Sequence, residues 1–273
     1  IDKADERRGM PTPHRTLANY HTAQSWIGSS TDFGRHGAIL VGDFLFSAAT
    51  AAADEQALTL REDCARAFSR RFADMHAEVA LGQYLDITAE QTPLDPERTD
   101  ALSTSDSLEV ALHKSAHYSV VHPALLGAIC GASSFDRVAD LLDVLETILT
   151  PWGLAFQLRD DDLGVFGDPA VTGKPAGDDL REGKRTALLA LTWEASSPAE
   201  RRALTDVLGV AEASPEQIAT ATDIVERNGR AAHEAEIARL VADGHAALEA
   251  STFDEDARAM LRELCSLLTT RRA

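Results

Sequence analysis

The sequence predicts an all-α fold. Three observations carry that reading. Apolar residues recur at spacings of three and four along most of the chain. Helix starts are marked by Ser-Pro pairs with an acid or amide three residues after the serine. No two segments alternate apolar and polar residues in the way a strand pair requires. With 273 residues, 44% of them hydrophobic, the chain can bury a sizeable core as one domain, 1–273, and no linker demands a second.

The elements come in order along the chain. Ala38 to Ala53 reads as a helix. Glu62 to Asp86 carries Cys64, Phe68, Phe72, Met75, Val79 and Leu85 as one apolar stripe. Gln91 to Thr99 is the expected exposed connection. Arg137 to Leu149 is helical again, and Pro151 is positioned to kink the helix just before the acidic run at Asp160. Ser197 and Ser214 are N-caps, each with proline in the first turn and Glu200 or Gln217 three residues on, so the second of them opens a helix over Pro215 to Glu226. Asp254 to Leu268 closes the series.

Composition excludes some functions. A net charge of -18 suits nucleic-acid binding poorly, because that needs a basic face. An anionic ligand must instead be held locally, by a few positive side chains or by metal ions. No apolar run reaches the roughly 18 residues of a membrane span, so no integral membrane segment is expected. The three cysteines, Cys64, Cys130 and Cys265, are far apart and odd in number. They fit a reduced, cytoplasmic setting, and speak for neither a disulfide framework nor a zinc site.

The chemistry concentrates between Phe156 and Thr186. The run F-Q-L-R-D-D-D-L-G-V-F-G-D places Asp160, Asp161 and Asp162 inside an apolar helical pattern. On a helix, Phe156, Gln157, Asp160, Asp161 and Gly164 share one face. Buried carboxylates cost several kcal/mol unless compensated, so this pair calls for a cation. Mg²⁺ suits it, being a hard ion that bridges one or two carboxylates to substrate phosphates. Two basic turns come next, Gly173-Lys174-Pro175 and Gly183-Lys184-Arg185-Thr186. Glycine lets backbone approach an anion, and lysine brings a point charge to phosphate. Two further candidates are Arg7-Arg8-Gly9, a potential bidentate clamp, and Lys114-Ser115 within L-H-K-S-A-H-Y. Together these describe a site for a metal-bound diphosphate.

The set resembles the trans-type polyprenyl diphosphate synthases, isoprenyl chain elongases, and most of all bacterial geranylgeranyl diphosphate synthases. The second aspartate-rich motif of that family, F-Q-x-x-D-D-x-x-D followed by G-K-x-x-G-x-D-L-x-x-G-K-x-T, is matched by Phe156, Gln157, Asp160, Asp161, Gly173, Lys174, Gly177, Asp179, Leu180, Gly183, Lys184 and Thr186. Lys114-Ser115 stands at the family's Lys-Thr pair. Gly42-Asp43 and Gly82-Gln83 match two further helix signatures. Asp2 with Arg7-Arg8-Gly9 matches the end of the first motif. Gly164 stands where the third acid is usual, Asp168 lies one turn beyond it, and Asp162 stands where leucine is commoner.

The resemblance implies a single helical bundle of the isoprenoid synthase type with a central cavity. It implies a Mg²⁺-dependent prenyltransferase that joins isopentenyl diphosphate to an allylic diphosphate, and a homodimer. Asp2, Asp160 and Asp161 would hold the metal. Lys114, Lys174, Lys184 and Arg7 would contact the allylic diphosphate, and Arg8 the isopentenyl diphosphate. Phe156 would pack near the isopentenyl group, while Gln157 and Ser115 would line the developing cation. The family's remaining first-motif aspartates, and the N-terminal helices that carry its G-G-K-x-x-R segment, are expected upstream of Ile1. Two alternatives stay open at this point: a noncatalytic subunit of a heteromeric synthase, and a class I terpene cyclase.

Overall fold

The computed structural model describes residues 5–7, 9–168, 177–210 and 212–270. The all-α expectation holds, with one small exception. A ribbon of two short antiparallel strands, β1 (Glu6–Arg7) and β2 (Met10–Pro11), pairs Glu6 with Pro11 and Arg7 with Met10. Two residues per strand leave no alternating pattern to read in the sequence.

The helices are α1 (Pro13–Ala23), α2 (Ser30–Ala57), α3 (Glu62–Gln91), α4 (Thr104–Ala111), α5 (His122–Gly131), α6 (Phe135–Phe166), α7 (Asp178–Glu182), α8 (Ala187–Ala195), α9 (Pro198–Thr205), α10 (Pro215–Asn228), α11 (Arg230–Ala250) and α12 (Glu255–Thr269). A short 3₁₀ turn spans Thr99–Ala101, and a π-helix spans Leu112–Val121 between α4 and α5. Both serine N-caps close capping boxes, Ser197 with Glu200 and Ser214 with Gln217. Helix α6 runs through Pro151 without a break.

Helix α6 is the centre of the bundle. Ile148, Leu149, Trp152, Ala155 and Leu158 are fully buried along it. The π-helix, α11, α12 and α5 pack around it. Asp63 at the start of α3 accepts the backbone N–H of Phe135 at 2.9 Å, which fixes where α6 begins. A second core gathers under α8 and α10 around Leu188, Trp193, Leu204 and Val225.

One side of the bundle is open. Helix α2 exposes Ile39, Leu40, Phe44, Leu45 and Phe46, and α3 exposes Leu81 and Tyr84 beside it. Helix α2 is also long and apolar enough to cross a bilayer by length and composition alone, a test that core helices of soluble proteins pass too, so it does not by itself make a membrane segment. No strictly apolar run marks it in sequence, because Asp32, Arg35, His36 and Asp43 interrupt it.

Candidate active site

The site forms where the C-terminal half of α3, the π-helix and α6 meet. Gly82 sets the spacing. A Cβ built there would lie 2.3 Å from the backbone nitrogen of Lys114, so only glycine lets α3 rest directly on the π-helix at that residue. Lys114 is thereby turned inward and is only 15% exposed, unlike an ordinary surface lysine of a helix. Its Nζ donates to Asp86 Oδ1 at 2.9 Å.

Lys184 reaches the same carboxylate from a distant part of the chain. Helix α7 ends at Gly183, whose φ of 80° lies in the left-handed region, and the chain turns sharply there. Lys184 Nζ then donates to Glu90 Oε1 at 2.7 Å and to Asp86 Oδ2 at 3.4 Å. Asp86 therefore bridges two lysines from opposite sides of the site. Both Asp86 and Glu90 escaped the sequence reading. Their one signal was an acid pair four residues apart, one turn beyond Gly82-Gln83.

The acidic triplet divides. Asp160 is exposed. Asp161 is buried at 4% exposure, and its Oδ1 accepts a hydrogen bond of 2.7 Å from Gln157 Nε2. Burial pushes the Asp161 carboxyl above the usual range, against the opposing pull of Lys114 and of the Gln157 hydrogen bond. The charge of Lys114 does not offset that burial in full, and a divalent cation beside the carboxylate would complete the balance. The donors are hard carboxylate oxygens, so Asp160 and Asp161 fit Mg²⁺.

Asp162 now has an explanation. It is buried, and its Oδ1 accepts from Arg230 Nε at 3.2 Å. Arg159 binds Glu234 through both guanidinium nitrogens, at 2.5 and 2.9 Å. His233 is sealed between these pairs, with Nε2 2.7 Å from the Leu158 carbonyl. Asp162 therefore helps fasten α11 to α6 behind the two acids in front.

Gly164, where a third acid was expected, is equally informative. A Cβ at that position would lie 2.0 Å from Asp179 Oδ2. The Asp179 carboxylate occupies the space above Gly164. Asp168 lies beyond the end of α6 and is exposed.

The remaining candidates are spread around this centre. Ser115 is buried in the π-helix, one residue from Lys114. Phe156 is half-buried against the main core cluster. Arg7 is exposed on the ribbon, and its side chain makes no ion pair with another described residue. Asp2, Arg8 and Lys174 lie outside the described residues. The structure thus brings together Lys114, Ser115, Gln157, Asp161 and Lys184, with Asp160 on the adjoining surface.

The chain is similar to proteins of a known family. A family model described as polyprenyl synthetase matches residues 1–225. The chain is 31% identical over 234 residues to the geranylgeranyl diphosphate synthase of Mycobacterium tuberculosis, covering 84% of this chain and 61% of that protein. It is 30% identical over 230 residues to the geranylfarnesyl diphosphate synthase of Aeropyrum pernix, covering 84% and 62%. The chain therefore spans about three fifths of the curated relatives it matches. In three dimensions it is similar to a geranylgeranyl pyrophosphate synthase of Corynebacterium glutamicum, crystallised with isoprenyl diphosphate and magnesium. The TM-score is 0.88 at 38% identity, over 100% of this chain and 73% of that one.

Proposed function

The chain belongs to the polyprenyl synthetase family, and on that footing we propose that the whole protein is a Mg²⁺-dependent prenyltransferase. It condenses isopentenyl diphosphate with an allylic diphosphate, head to tail, and its product is geranylgeranyl diphosphate. The observation that carries this reading is Asp86, whose carboxylate holds Lys114 and Lys184 together next to Asp161. Two ammonium groups parked on one carboxylate, beside a buried acid short of counter-charge, suit a ligand that carries both diphosphate and metal.

The reaction begins when the allylic C–O bond breaks and its electron pair leaves with pyrophosphate. The double bond of isopentenyl diphosphate attacks the allylic carbon, a C–C bond forms, and pyrophosphate takes the proton that is lost. The barrier lies in the leaving charge. Lys114 and Lys184 turn from Asp86 and Glu90 to the diphosphate oxygens and stabilise that charge as it develops. Lys174 and Arg7 are proposed to join them, and Arg8 to bind isopentenyl diphosphate. Asp160 and Asp161, with Asp2, would hold Mg²⁺, which when bound neutralises the departing pyrophosphate as a Lewis acid. Gln157 orients Asp161 through the hydrogen bond already described, and with Ser115 presents neutral oxygens to the cation. Phe156 packs beside the isopentenyl group. The growing hydrocarbon requires an apolar tunnel in the bundle.

The open apolar face of α2 and α3 supports a homodimer of a cytoplasmic enzyme, with a second copy covering Leu40, Phe44 and Leu45 in place of lipid. Geranylgeranyl length rests on the names of the relatives. Mass analysis of products made from isopentenyl diphosphate, allylic primers and Mg²⁺ tests both reaction and length. Products of geranylgeranyl length support the reading, and unchanged primers overturn it.

A further inference from the structure

A second cluster of ligating groups lies two helical turns along α3 from Asp86. Glu78 faces three histidines. Its Oε1 lies 2.7 Å from His113 Nδ1 and 2.5 Å from His117 Nδ1, and its Oε2 lies 2.7 Å from His122 Nε2. The π-helix explains how they converge. His113, His117 and His122 are separated by four and five residues, close to one turn of a helix widened to i→i+5 hydrogen bonding. Neighbouring rings stand edge to face, with centroids 5.8 Å apart in both pairs.

We propose that Glu78, His117 and His122 form a binding site for a borderline divalent cation, Zn²⁺ being the best match, which clamps α3 to the π-helix that carries Lys114 and Ser115. One ligand atom from each of the three lies within 4.8 Å of the others, so small side-chain shifts, with the direct Glu78–histidine hydrogen bonds giving way to the ion, reach three corners of a tetrahedron. Imidazole with carboxylate is a donor set for zinc, whereas the all-oxygen aspartate pair suits magnesium. The site requires no cysteine. His113 stands by as a fourth ligand or as a partner to Glu78.

Burial agrees. The side chains of His122 and His117 are only 6% and 16% exposed and that of Glu78 24%, so the ligating atoms are largely shielded from solvent.

The test is titration of the chelator-treated whole protein with ZnCl₂ in excess Mg²⁺, which occupies the aspartate site. One Zn²⁺ per chain should bind, and E78Q, H117Q and H122Q should each weaken it at least about tenfold, as loss of a ligand must exceed the effect of a supporting residue. D160N should leave Zn²⁺ affinity unchanged. Co²⁺ should give the intense visible absorption of a tetrahedral site, read on the wild-type protein in case a variant fails to fold. Absence of stoichiometric uptake, a weak octahedral Co²⁺ spectrum, retained affinity in all three variants, or loss of uptake in D160N instead would overturn the proposal.

Discussion

Asp161 is the residue at which stability and function conflict. Its folded-state carboxyl is raised by burial, so the charge it carries at neutral pH destabilises the metal-free fold. Asp161→Asn should therefore raise the melting temperature at pH 7 while abolishing turnover. The sign is fixed by linkage. A group raised on folding favours the native state at low pH and loses that contribution as pH rises, so the variant's advantage should narrow as pH falls toward 3.8, the ordinary value. Calorimetry of both proteins across that range checks it, and an advantage that widens toward low pH would contradict the burial argument. Asp160→Asn is expected to lower kcat about 10²–10³-fold, the usual cost of one transition-state stabiliser, without changing stability. Steady-state kinetics and a thermal melt measure the two effects. Lys184→Ala should weaken allylic diphosphate binding, seen as a raised KM, and an unchanged affinity would remove Lys184 from the site. These residues were legible because aspartates and glycine-lysine turns are chemically conspicuous. Asp86 and Glu90 were not, since an acid near a helix end looks like solvated surface until its partners arrive from residues far along the chain. Asp162 was opaque for the same reason, its partner Arg230 standing 68 residues away.

At the scale of the element, the contact between α3 and the π-helix decides where Lys114 points. Gly82→Ala inserts a methyl group against the Lys114 backbone, and overpacking of this kind costs about 1–3 kcal/mol. The expected outcome is a lower denaturation midpoint together with a raised KM for the allylic diphosphate, measured by chemical denaturation and kinetics. A variant that is destabilised but kinetically normal would show that Lys114 keeps its place without this packing. Helix periodicity revealed α10 and α12 to within a turn, α3 to within two turns at its C-terminal end, and the first half of α6. It did not reveal the π-helix, because i→i+5 bonding arises from packing against α3 and α6 and leaves no distinctive residue spacing. Pro151, expected to kink α6, leaves it unbroken. Ile148, Leu149 and Trp152 beside the proline are fully buried, so tertiary packing overrides local propensity there.

For the whole molecule, the open side formed by α2 and α3 predicts association. Light scattering after size exclusion should give twice the monomer mass, and Phe44→Glu, introducing charge at a position 71% exposed here, should shift the protein toward monomer. A dimer that tolerates the charge would move the interface elsewhere. The all-α class was legible from periodicity and caps, whereas the open face was not, because amphipathic stripes mark what is buried and not which chain buries it. The central claim concerns head-to-tail transfer by Lys114, Lys184 and the Asp160–Asp161 pair. The most direct measurement supplies the whole protein with a labelled allylic diphosphate and Mg²⁺, with and without isopentenyl diphosphate, and identifies products by mass. Elongated prenyl diphosphate is expected only when isopentenyl diphosphate is present, and at most a trace of it in the Asp160→Asn variant. Hydrocarbon or alcohol released from the allylic diphosphate alone, or elongation undiminished in that variant, would contradict the account.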